Sequence, residues 1–394
     1  MEKDLETLKE ALPDFKQVQQ RFCALRTDAT PEEKTEALKA LKSAIEKDAQ
    51  APLYEFLCSE LHEEPDKEFL QKLKARNDEA VQKLEEMKKD AEENLGENEV
   101  REAFVARAIH IARIGSRPEA VRAACEEAEK HTVALGQKLD LLFLTIRVAL
   151  YFNEPKIAQE ATEKAKALLE KGADWDRKNR LKVYEGVQAM RRRDFQTAAG
   201  HFLDTISTYS CDELFDHPEF VALATAVGLP VLDREQLNKK LLSVPEFTAL
   251  SNPGAPRVAC VGTVATSLYS CDYSEFLPAL LTATDALRDH WLLSEHADYV
   301  CRELRVRAYA QMLESYRSLQ LTAMANSFRV SPEFMDRELA RFVSLGRLHC
   351  KIDRVSGVVE TTRPDSRNKQ YQDMIHTGDQ LLNRLQKLAR LVVF

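Results

Sequence analysis

The chain has 394 residues, of which 44% are hydrophobic and 30% charged, a composition that supports buried cores and excludes a disordered chain. Only 12 glycines and 14 prolines are available for tight turns, which argues against an all-β fold. The net charge of −8 lacks the excess of cations on which nucleic-acid binding depends.

Residues 1–100 are predicted to form a charged, helical N-terminal region. The region begins Met1-Glu2-Lys3-Asp4, without the apolar run of a secretory signal. From Leu70 to Leu95, apolar side chains recur at helical spacing, with lysines and glutamates on the opposite face. This pattern predicts one long helix, and Gly96 is predicted to end it.

Residues 101–245 are predicted to form helical repeats of the tetratricopeptide type. Helix pairs are expected at 101–114 with 117–131 and at 136–151 with 155–170. Apolar side chains occupy two faces of the helix 136–151, so neighbouring helices are expected to cover it on both sides. This apolar stretch contains Arg147 and is too short for a membrane span, so it is interpreted as a core helix.

The spacing of small residues supports a repeat. Ala120, Ala158 and Ala198 recur at intervals of 38 and 40 residues in the second helix of each predicted pair. Gly186, followed by Ala198 and Phe202, matches the glycine and A-x3-F pattern that lets two helices approach closely in such repeats. The repeat is longer than the usual one, which predicts a degenerate relative of it.

Two groups within the repeats could bind partners but are interpreted as ordinary structure. Trp175 begins a helix that also carries Arg177 and Arg180, and a structural role in the stack is favoured over a binding role. The run 191–193 consists of three arginines at a helix end, where cations complement the helix dipole, and a solvated turn is expected there.

Residues 246–318 are predicted to be helical, with interruptions just before and within this region. Pro218, Pro230 and Pro245 divide the chain into short pieces, and residues 251–256 read as a loop. Helical periodicity returns at Tyr273 and extends to about residue 318.

Residues 319–362 are predicted to form a winged helix. A short amphipathic helix ends at a turn in which Ser331 caps a second helix, and that helix ends at Gly346. The next segment alternates so that its apolar side chains lie on one face, and a turn at Gly357 leads to a second strand. The three apolar residues of the alternating segment are Leu348, Cys350 and Ile352.

The second helix of this module does not have the composition of a DNA-reading helix. Glu333, Asp336 and Glu338 outnumber Arg337 and Arg341, whereas base edges are read by arginine, lysine, asparagine or glutamine. A winged helix without a basic face is expected to serve protein assembly, and its hairpin is expected to leave an open strand edge for a neighbour.

Residues 363–394 are predicted to form a long terminal helix. Its apolar residues recur at coiled-coil spacing, with Arg384, Lys387 and Arg390 outside the apolar seam. Two interpretations remain open, insertion into a helical bundle with other chains or folding back onto the chain's own domain. The seam consists of Met374, Leu381, Leu385, Leu388 and Val392.

No pattern in the sequence predicts catalysis, a metal or a cofactor. The eight cysteines are single and no C-x-x-C occurs, so zinc and redox sites are not expected and a reducing compartment, cytoplasm or nucleus, is. No two of the nine histidines are spaced as in H-x-H or H-E-x-x-H, and no glycine-rich phosphate loop is present. The chain is therefore predicted not to be an enzyme.

Helical repeats that lead into a winged helix resemble the PCI domain. Several segments also resemble the family of non-ATPase regulatory subunit 6 of the 26S proteasome, in order along residues 60–394. The resemblance fails between Phe215 and Val264, where residues 251–262 are rich in proline and small side chains. The similar segments are 172–186, 193–195, 202–205, 313–319, 346–353, 360–361, 363–366 and 381–384.

This resemblance implies a mainly α-helical, non-catalytic scaffold subunit of the proteasome's regulatory lid. It implies as partners the other PCI subunits, the lid deubiquitinase pair through a C-terminal helical bundle, and the ATPase base, with no nucleic acid and no membrane. Strands at 348–353 and 358–361, including Val358, are expected to make the lateral contact, and the seam residues of 374–392 the bundle contact. The alternatives are subunit one of the COP9 signalosome, which shares the architecture, and a nucleic-acid-binding winged-helix protein.

Overall fold

The computed structural model describes residues 15–26, 28–62, 64–94, 96–172, 174–249, 256–362 and 366–392, and shows a mainly helical chain. The chain divides into two compact units. The first is formed by residues up to Tyr269 together with Ala279–Cys301, and the second by Ser270–Pro278 together with the residues from Arg302 onward.

Within the described residues, which start at Phe15, the first unit opens with four helices. A capping box at Thr30, in which the side chains of Thr30 and Glu33 each bond the other's backbone N–H, starts the second of them. The long predicted helix is present, but it ends at Asn94, and Gly96 caps the start of the following helix instead of ending this one. These helices are α1 (Phe15–Leu25), α2 (Pro31–Asp48), α3 (Ala51–Leu61) and α4 (Lys67–Asn94).

Helix α1 packs against two segments that are distant in sequence. The ring of Phe15 lies 6.2 Å from that of Tyr151 and 5.6 Å from that of Trp291. Gln19 Nε2 donates to the carbonyl oxygen of Asp289, and the Trp291 N–H donates to Gln19 Oε1 at 2.9 Å. The N-terminal helix therefore joins the end of a repeat helix to a loop about 270 residues further along the chain, a connection without a sequence signature.

Three helical hairpins follow, and the two predicted helix pairs are confirmed as the first two of them. Helix α7 is buried along most of its length, as its two apolar faces predict, because its neighbours cover both sides. The six helices are α5 (Glu97–Arg113), α6 (Pro118–Lys130), α7 (Leu135–Tyr151), α8 (Pro155–Leu169), α9 (Trp175–Arg191) and α10 (Phe195–Thr205).

Polar contacts between consecutive hairpins recur at the period of the repeat. Arg122 Nη1 donates to Glu160 Oε2 at 2.7 Å, and Lys164 Nζ donates to Glu126 Oε1 at 3.3 Å, in both cases between residues 38 apart. The same helix of successive units therefore presents matching charges to its neighbour. This agrees with nearest-neighbour stacking, in which each unit is stabilised mainly by the next one.

The prediction of a small residue near the start of each second helix is correct in two units and wrong in the first. Ala158 and Ala198 are fully buried, each three residues after the first residue of its helix. In α6 the equivalent position is Val121, which is fully buried, whereas Ala120 is exposed. The spacing of the alanines predicted the wrong position in α6, because the buried position there is occupied by the larger side chain of Val121.

Gly186 permits the closest helix approach in the stack. A Cβ atom at this position would lie 2.5 Å from Cε1 of Phe202, whose ring is fully buried. The glycine and A-x3-F interpretation of this unit is confirmed, because Phe202 fills the space that a side chain at position 186 would need.

Replacing Gly186 by alanine is expected to lower the free energy of unfolding. The added methyl group would displace the buried Phe202 ring, and overpacking of this kind costs about 1–3 kcal/mol, more than the gain of up to about 1 kcal/mol in helix propensity. Urea denaturation followed by circular dichroism would measure the change. Gly200→Ala is the matched control, because nothing lies within 4 Å of its Cβ position and the same propensity gain should appear alone. Equal stability of both variants would contradict the close approach.

A network of buried charges joins α9 to the loop after α10. Arg180 Nη2 contacts both carboxylate oxygens of Glu213 at 2.7 and 2.8 Å, and the Tyr184 hydroxyl donates to the same carboxylate at 2.5 Å. The side chains of Arg180 and Glu213 are 7% and 5% exposed. Glu213 lies in the loop after α10, so this loop is held in the core by an ion pair.

Further helices complete the first unit and lead into the second. The predicted breaks at Pro218 and Pro245 coincide with helix starts, as suits a residue without an N–H. Residues 251–255 of the predicted loop lie outside the described residues. From Pro256 the chain is helical. These helices are α11 (His217–Gly228), α12 (Arg234–Leu237), α13 (Pro245–Ala249), α14 (Pro256–Ser270), α15 (Tyr273–Arg288) and α16 (Ala297–Ser315).

The second unit contains the predicted winged helix. Ser331 Oγ accepts the N–H of Phe334 and caps the second helix, and Gly346 adopts the left-handed conformation beyond its end, with φ of +68°. A strand at 318–320, where helix was expected to end, adds a third member to the sheet. The elements are β1 (Ser318–Gln320), α17 (Leu321–Ser327), α18 (Pro332–Ser344), β2 (Cys350–Asp353) and β3 (Val358–Thr361).

The sheet is antiparallel with the strand order β1–β3–β2. Val359 of β3 pairs with Leu319 of β1 on one side and with Ile352 of β2 on the other, and it is fully buried. The last helix, α19 (Ser366–Val392), follows the sheet.

Candidate protein-interaction surfaces

The apolar seam of α19 is exposed to solvent. Four of its five predicted residues, Met374, Leu381, Leu385 and Leu388, are 70%, 55%, 61% and 57% exposed, while the side chain of Val392 lies outside the described residues. Folding back of this face onto the chain's own domain, the alternative that the sequence left open, would have buried these side chains. The seam therefore lacks a cover within the part of the chain that is described.

The exposed face is wider than the predicted seam. Ile375, Leu382 and Leu391 are each more than half exposed and lie next to the seam along the helix, as does Tyr371 one turn before Met374. At a rise of about 1.5 Å per residue, the helix presents this face over roughly 30 Å, from Tyr371 to Leu391. The sequence prediction missed these flanking residues because it followed one spacing rule, although they form a second stripe beside the first.

The open strand edge predicted for the hairpin belongs to β2 and not to β3, although both strands were expected to make the lateral contact. Strand β3 is central and hydrogen-bonded on both sides, so Val358 and its neighbours have no free edge for another chain. The third strand, β1, occupies the edge that the sequence left free. Among the described residues, the outer edges of the sheet are those of β1 and β2.

Two of the side chains predicted to make the lateral contact are buried. Leu348 and Cys350 are each 4% exposed and face the module's own core, while Ile352 and Val358 are half-buried. Burial raises the pKa of the Cys350 thiol, and His349 points to the other, exposed face, so the pair does not form a nucleophilic site. At β2 a neighbour would meet backbone groups and the outward side chains.

The interpretation of residues 191–193 as a solvated turn is confirmed for Arg192 and Arg193, which lie exposed in a turn, and wrong for Arg191, which ends α9 and is half-buried. Arg191 donates to Asn153 Oδ1 at 2.7 Å and its guanidinium lies 5.2 Å from the centre of the Trp291 ring. Burial lowers the pKa of Arg191 to about 10. Arg193 donates to His296 Nδ1 at 3.3 Å, so two of these arginines hold separate segments together.

The interpretation of Trp175 as a structural residue is also wrong. Its side chain is 64% exposed at the start of α9. The two arginines of the same turn do have structural roles, since Arg177 bonds both carboxylate oxygens of Asp140 and Arg180 pairs with Glu213. The exposed tryptophan leaves a binding role open.

We expect His296 to make the stability of the first unit sensitive to mild acid. Burial, and then the charge of Arg193, lower the pKa of His296 below its usual 6.5, with Glu295 opposing them. The folded state therefore favours the neutral ring, which accepts the Arg193 hydrogen bond and packs edge-on against Phe195.

We expect this contribution to stability to be complete above the unfolded-state pKa and to be lost as pH falls from that value through the lower folded-state pKa. Urea denaturation at pH 7.5 and 5.5 should show a smaller loss for His296→Asn, which keeps an acceptor without a titrating group, than for the unmodified chain. The same loss in both proteins would show that His296 does not titrate in this range.

Among the residues that the structure describes, no helix is long and apolar enough to cross a membrane. No group of three or more metal-ligating side chains occurs in those same residues.

Three family models match the chain. The model described as "26S proteasome subunit RPN7" matches residues 66–240, the PCI domain matches residues 280–363, and the "26S proteasome regulatory subunit RPN7/PSMD6 C-terminal helix" matches residues 370–392. The third match coincides with the exposed helix α19.

Curated proteins are similar over nearly the whole chain. A 26S proteasome non-ATPase regulatory subunit 6 homolog from Arabidopsis thaliana is 40% identical over 94% of this chain and 95% of its own length. The 26S proteasome regulatory subunit RPN7 of Saccharomyces cerevisiae is 32% identical over 97% and 94%. COP9 signalosome complex subunit 1 of Arabidopsis thaliana is 22% identical over 51% of this chain and 45% of its own.

Proposed function

This chain belongs to the RPN7/PSMD6 family of 26S proteasome regulatory subunits, and from this premise we propose that it is a non-catalytic scaffold subunit of the proteasome's regulatory lid. Its task is to hold other subunits in position for ubiquitin-dependent protein degradation. Other PCI subunits, the lid deubiquitinase pair and the ATPase base are its partners, in the cytoplasm and the nucleus.

The observation that carries this proposal is the exposed apolar face of α19. Seven large apolar residues between positions 374 and 391 are more than half exposed, namely Met374, Ile375, Leu381, Leu382, Leu385, Leu388 and Leu391. Leaving so much apolar surface in water costs free energy, which burial against other helices recovers. The a and d spacing suits a helical bundle, in which each apolar side chain inserts between four residues of a facing helix.

The second contact of the proposal is lateral, along the open edge of β2. The backbone N–H and C=O groups on that edge can pair with a strand of a neighbouring PCI subunit. The half-buried Ile352 stands at this edge, and the exposed Lys351 points outward to supply specificity. Leu348 and Cys350 support the contact from the module's core rather than touching the partner.

The alternative within the same architecture is subunit one of the COP9 signalosome. It is disfavoured, because identity to those proteins is 22%, against 32–42% to the proteasome subunits. A nucleic-acid-binding function would require a salt-dependent interaction with DNA or RNA, for which the net charge of −8 offers little attraction.

Affinity purification of the tagged chain from its own cells, with mass spectrometry of the proteins that accompany it, tests the proposal. We expect lid and ATPase subunits of the proteasome in stoichiometric amounts. COP9 subunits in their place would assign the chain to the COP9 signalosome, and the absence of stable partners would refute the scaffold function.

A further inference from the structure

Two of the three carboxylates of helix α18 are paired with arginines of the second unit. Glu338 is paired with Arg305 and accepts the hydroxyl of Tyr309 at 2.6 Å, and its side chain is 10% exposed. Asp336 pairs with Arg354 of the hairpin at 3.1 Å. The slightly acidic character of this helix in the sequence therefore does not describe its surface.

The surface of α18 that faces solvent carries arginines between two apolar side chains. Phe334, Arg337, Arg341 and Leu345 follow one another at intervals of three, four and four residues, which places them on one side of the helix. Phe334 and Leu345 are 42% and 59% exposed. Arg337 lies 4.0 Å from Glu333, a weak contact between groups that are 78% and 88% exposed, and Arg341 is exposed as well.

We infer that this α18 face, formed by Phe334, Arg337, Arg341 and Leu345, binds an acidic amphipathic segment of a neighbouring protein. Two apolar side chains of that segment cover Phe334 and Leu345, and carboxylates between them meet the two guanidinium groups, which accept planar, bidentate partners. The inference rests on the proposed function, since assembly with other subunits supplies the neighbour, and it assigns α18 a contact separate from the edge of β2.

Other occupants fit this surface less well. A second copy of the chain would place arginine against arginine. Helix α19 carries Arg384, Lys387 and Arg390 outside its seam and would repel the face in the same way. Nucleic acid is disfavoured because Glu333 stands at the N-terminal end of α18, where a recognition helix meets the groove, and because Phe334 and Leu345 cannot bond base edges.

The test is photo-crosslinking of the full-length chain in its own cells. A tagged Phe334→p-benzoylphenylalanine variant is irradiated and purified, and the crosslinked peptides are identified by mass spectrometry. We expect the crosslink to fall in another protein, within a segment of net negative charge. Adding Arg337→Glu and Arg341→Glu to this variant is expected to reduce the crosslink yield at least about tenfold, because both charge pairs become repulsive.

Lys171→Glu/Lys178→Glu is the matched control, since it changes the net charge equally at two exposed positions in the repeats and should leave the yield unchanged. A crosslink to this chain, to nucleic acid or to a segment that is not acidic would overturn the inference, as would a yield that survives charge reversal. If proteasome subunits are absent from the purification, the proposed function fails; the α18 inference still stands or falls on the charge of the crosslinked segment.

Discussion

The double substitution Leu385→Glu/Leu388→Glu is expected to abolish incorporation of the chain into the proteasome while leaving its own fold intact. Both side chains are more than half exposed in the free chain, so carboxylates there meet water. In a helical bundle the same positions face apolar neighbours, and burying two charges would cost about 4 kcal/mol or more, equivalent to roughly a thousandfold loss of affinity.

Asn383→Glu/Lys387→Gln is the matched control, because it makes the same change of net charge on the polar side of the same helical turns. Native gel electrophoresis of cell extracts, probed for the tag and for peptidase activity, would measure incorporation. The control should be incorporated normally and both variants should unfold at the same temperature as the unmodified chain. Normal incorporation of the leucine variant would refute the assignment of α19 to the bundle.

The substitution Glu213→Gln is expected to lower the free energy of unfolding by about 3–5 kcal/mol. It leaves the buried Arg180 guanidinium with only the more distant carboxylate of Asp140, at 3.7 Å, and it also removes the negative charge beside Arg147, whose Nε and Nη1 lack hydrogen-bond partners. Urea denaturation monitored by circular dichroism would measure the loss. The loop after α10, which carries Glu213, should become more susceptible to proteolysis.

The control is Glu126→Gln, which removes a surface carboxylate that pairs with Arg122 at 3.1 Å and with Lys164 at 3.3 Å. Because all three side chains are more than one-third exposed, water screens both pairs and their loss should cost about 1 kcal/mol or less. Equal losses of unfolding free energy in the two variants would contradict the prediction that the buried Arg180–Glu213 pair contributes more than the exposed contacts of Glu126.

The buried Arg180–Glu213 pair predicts how the free energy of unfolding responds to stronger acid. Burial alone would raise the pKa of Glu213, but the charges of Arg180 and Arg147 outweigh it and hold that pKa below its usual range. The ion pair therefore stabilises the fold above the unfolded-state pKa of a glutamate and loses this contribution as pH falls through the folded-state value. His296 responds first on acidification, since its unfolded-state pKa is higher, and Glu213 follows.

The sequence predicted those features that depend on local periodicity. The boundaries of the hairpin helices, the cap at Ser331, the winged-helix module and the terminal helix follow from side-chain spacing and from the conformational preferences of single residues. Gly186 with Phe202 was recognisable for the same reason, since a close approach of two helices requires a small residue at a fixed distance from a large one. The α19 seam was recognisable because its apolar residues repeat without interruption.

Features that depend on which segments meet in space were missed or misread. The sequence shows three arginines at 191–193 but not that Arg191 and Arg193 reach a loop and a helix about 100 residues further along the chain. It shows the charges of α18 but not that Arg305 and Arg354 neutralise two of its carboxylates. It shows two strands of the sheet but not the third, which makes β3 central.

By itself, the amino-acid sequence determined the helical repeats, the elements of the winged helix and the apolar seam of α19, because each depends on interactions within about one or two turns of the chain. Only the tertiary structure decided which charges are buried, which strand edges stay open and which apolar residues face water. Those properties depend on contacts between residues far apart in sequence, and the free energy of a charge or an apolar side chain changes by several kcal/mol with its surroundings.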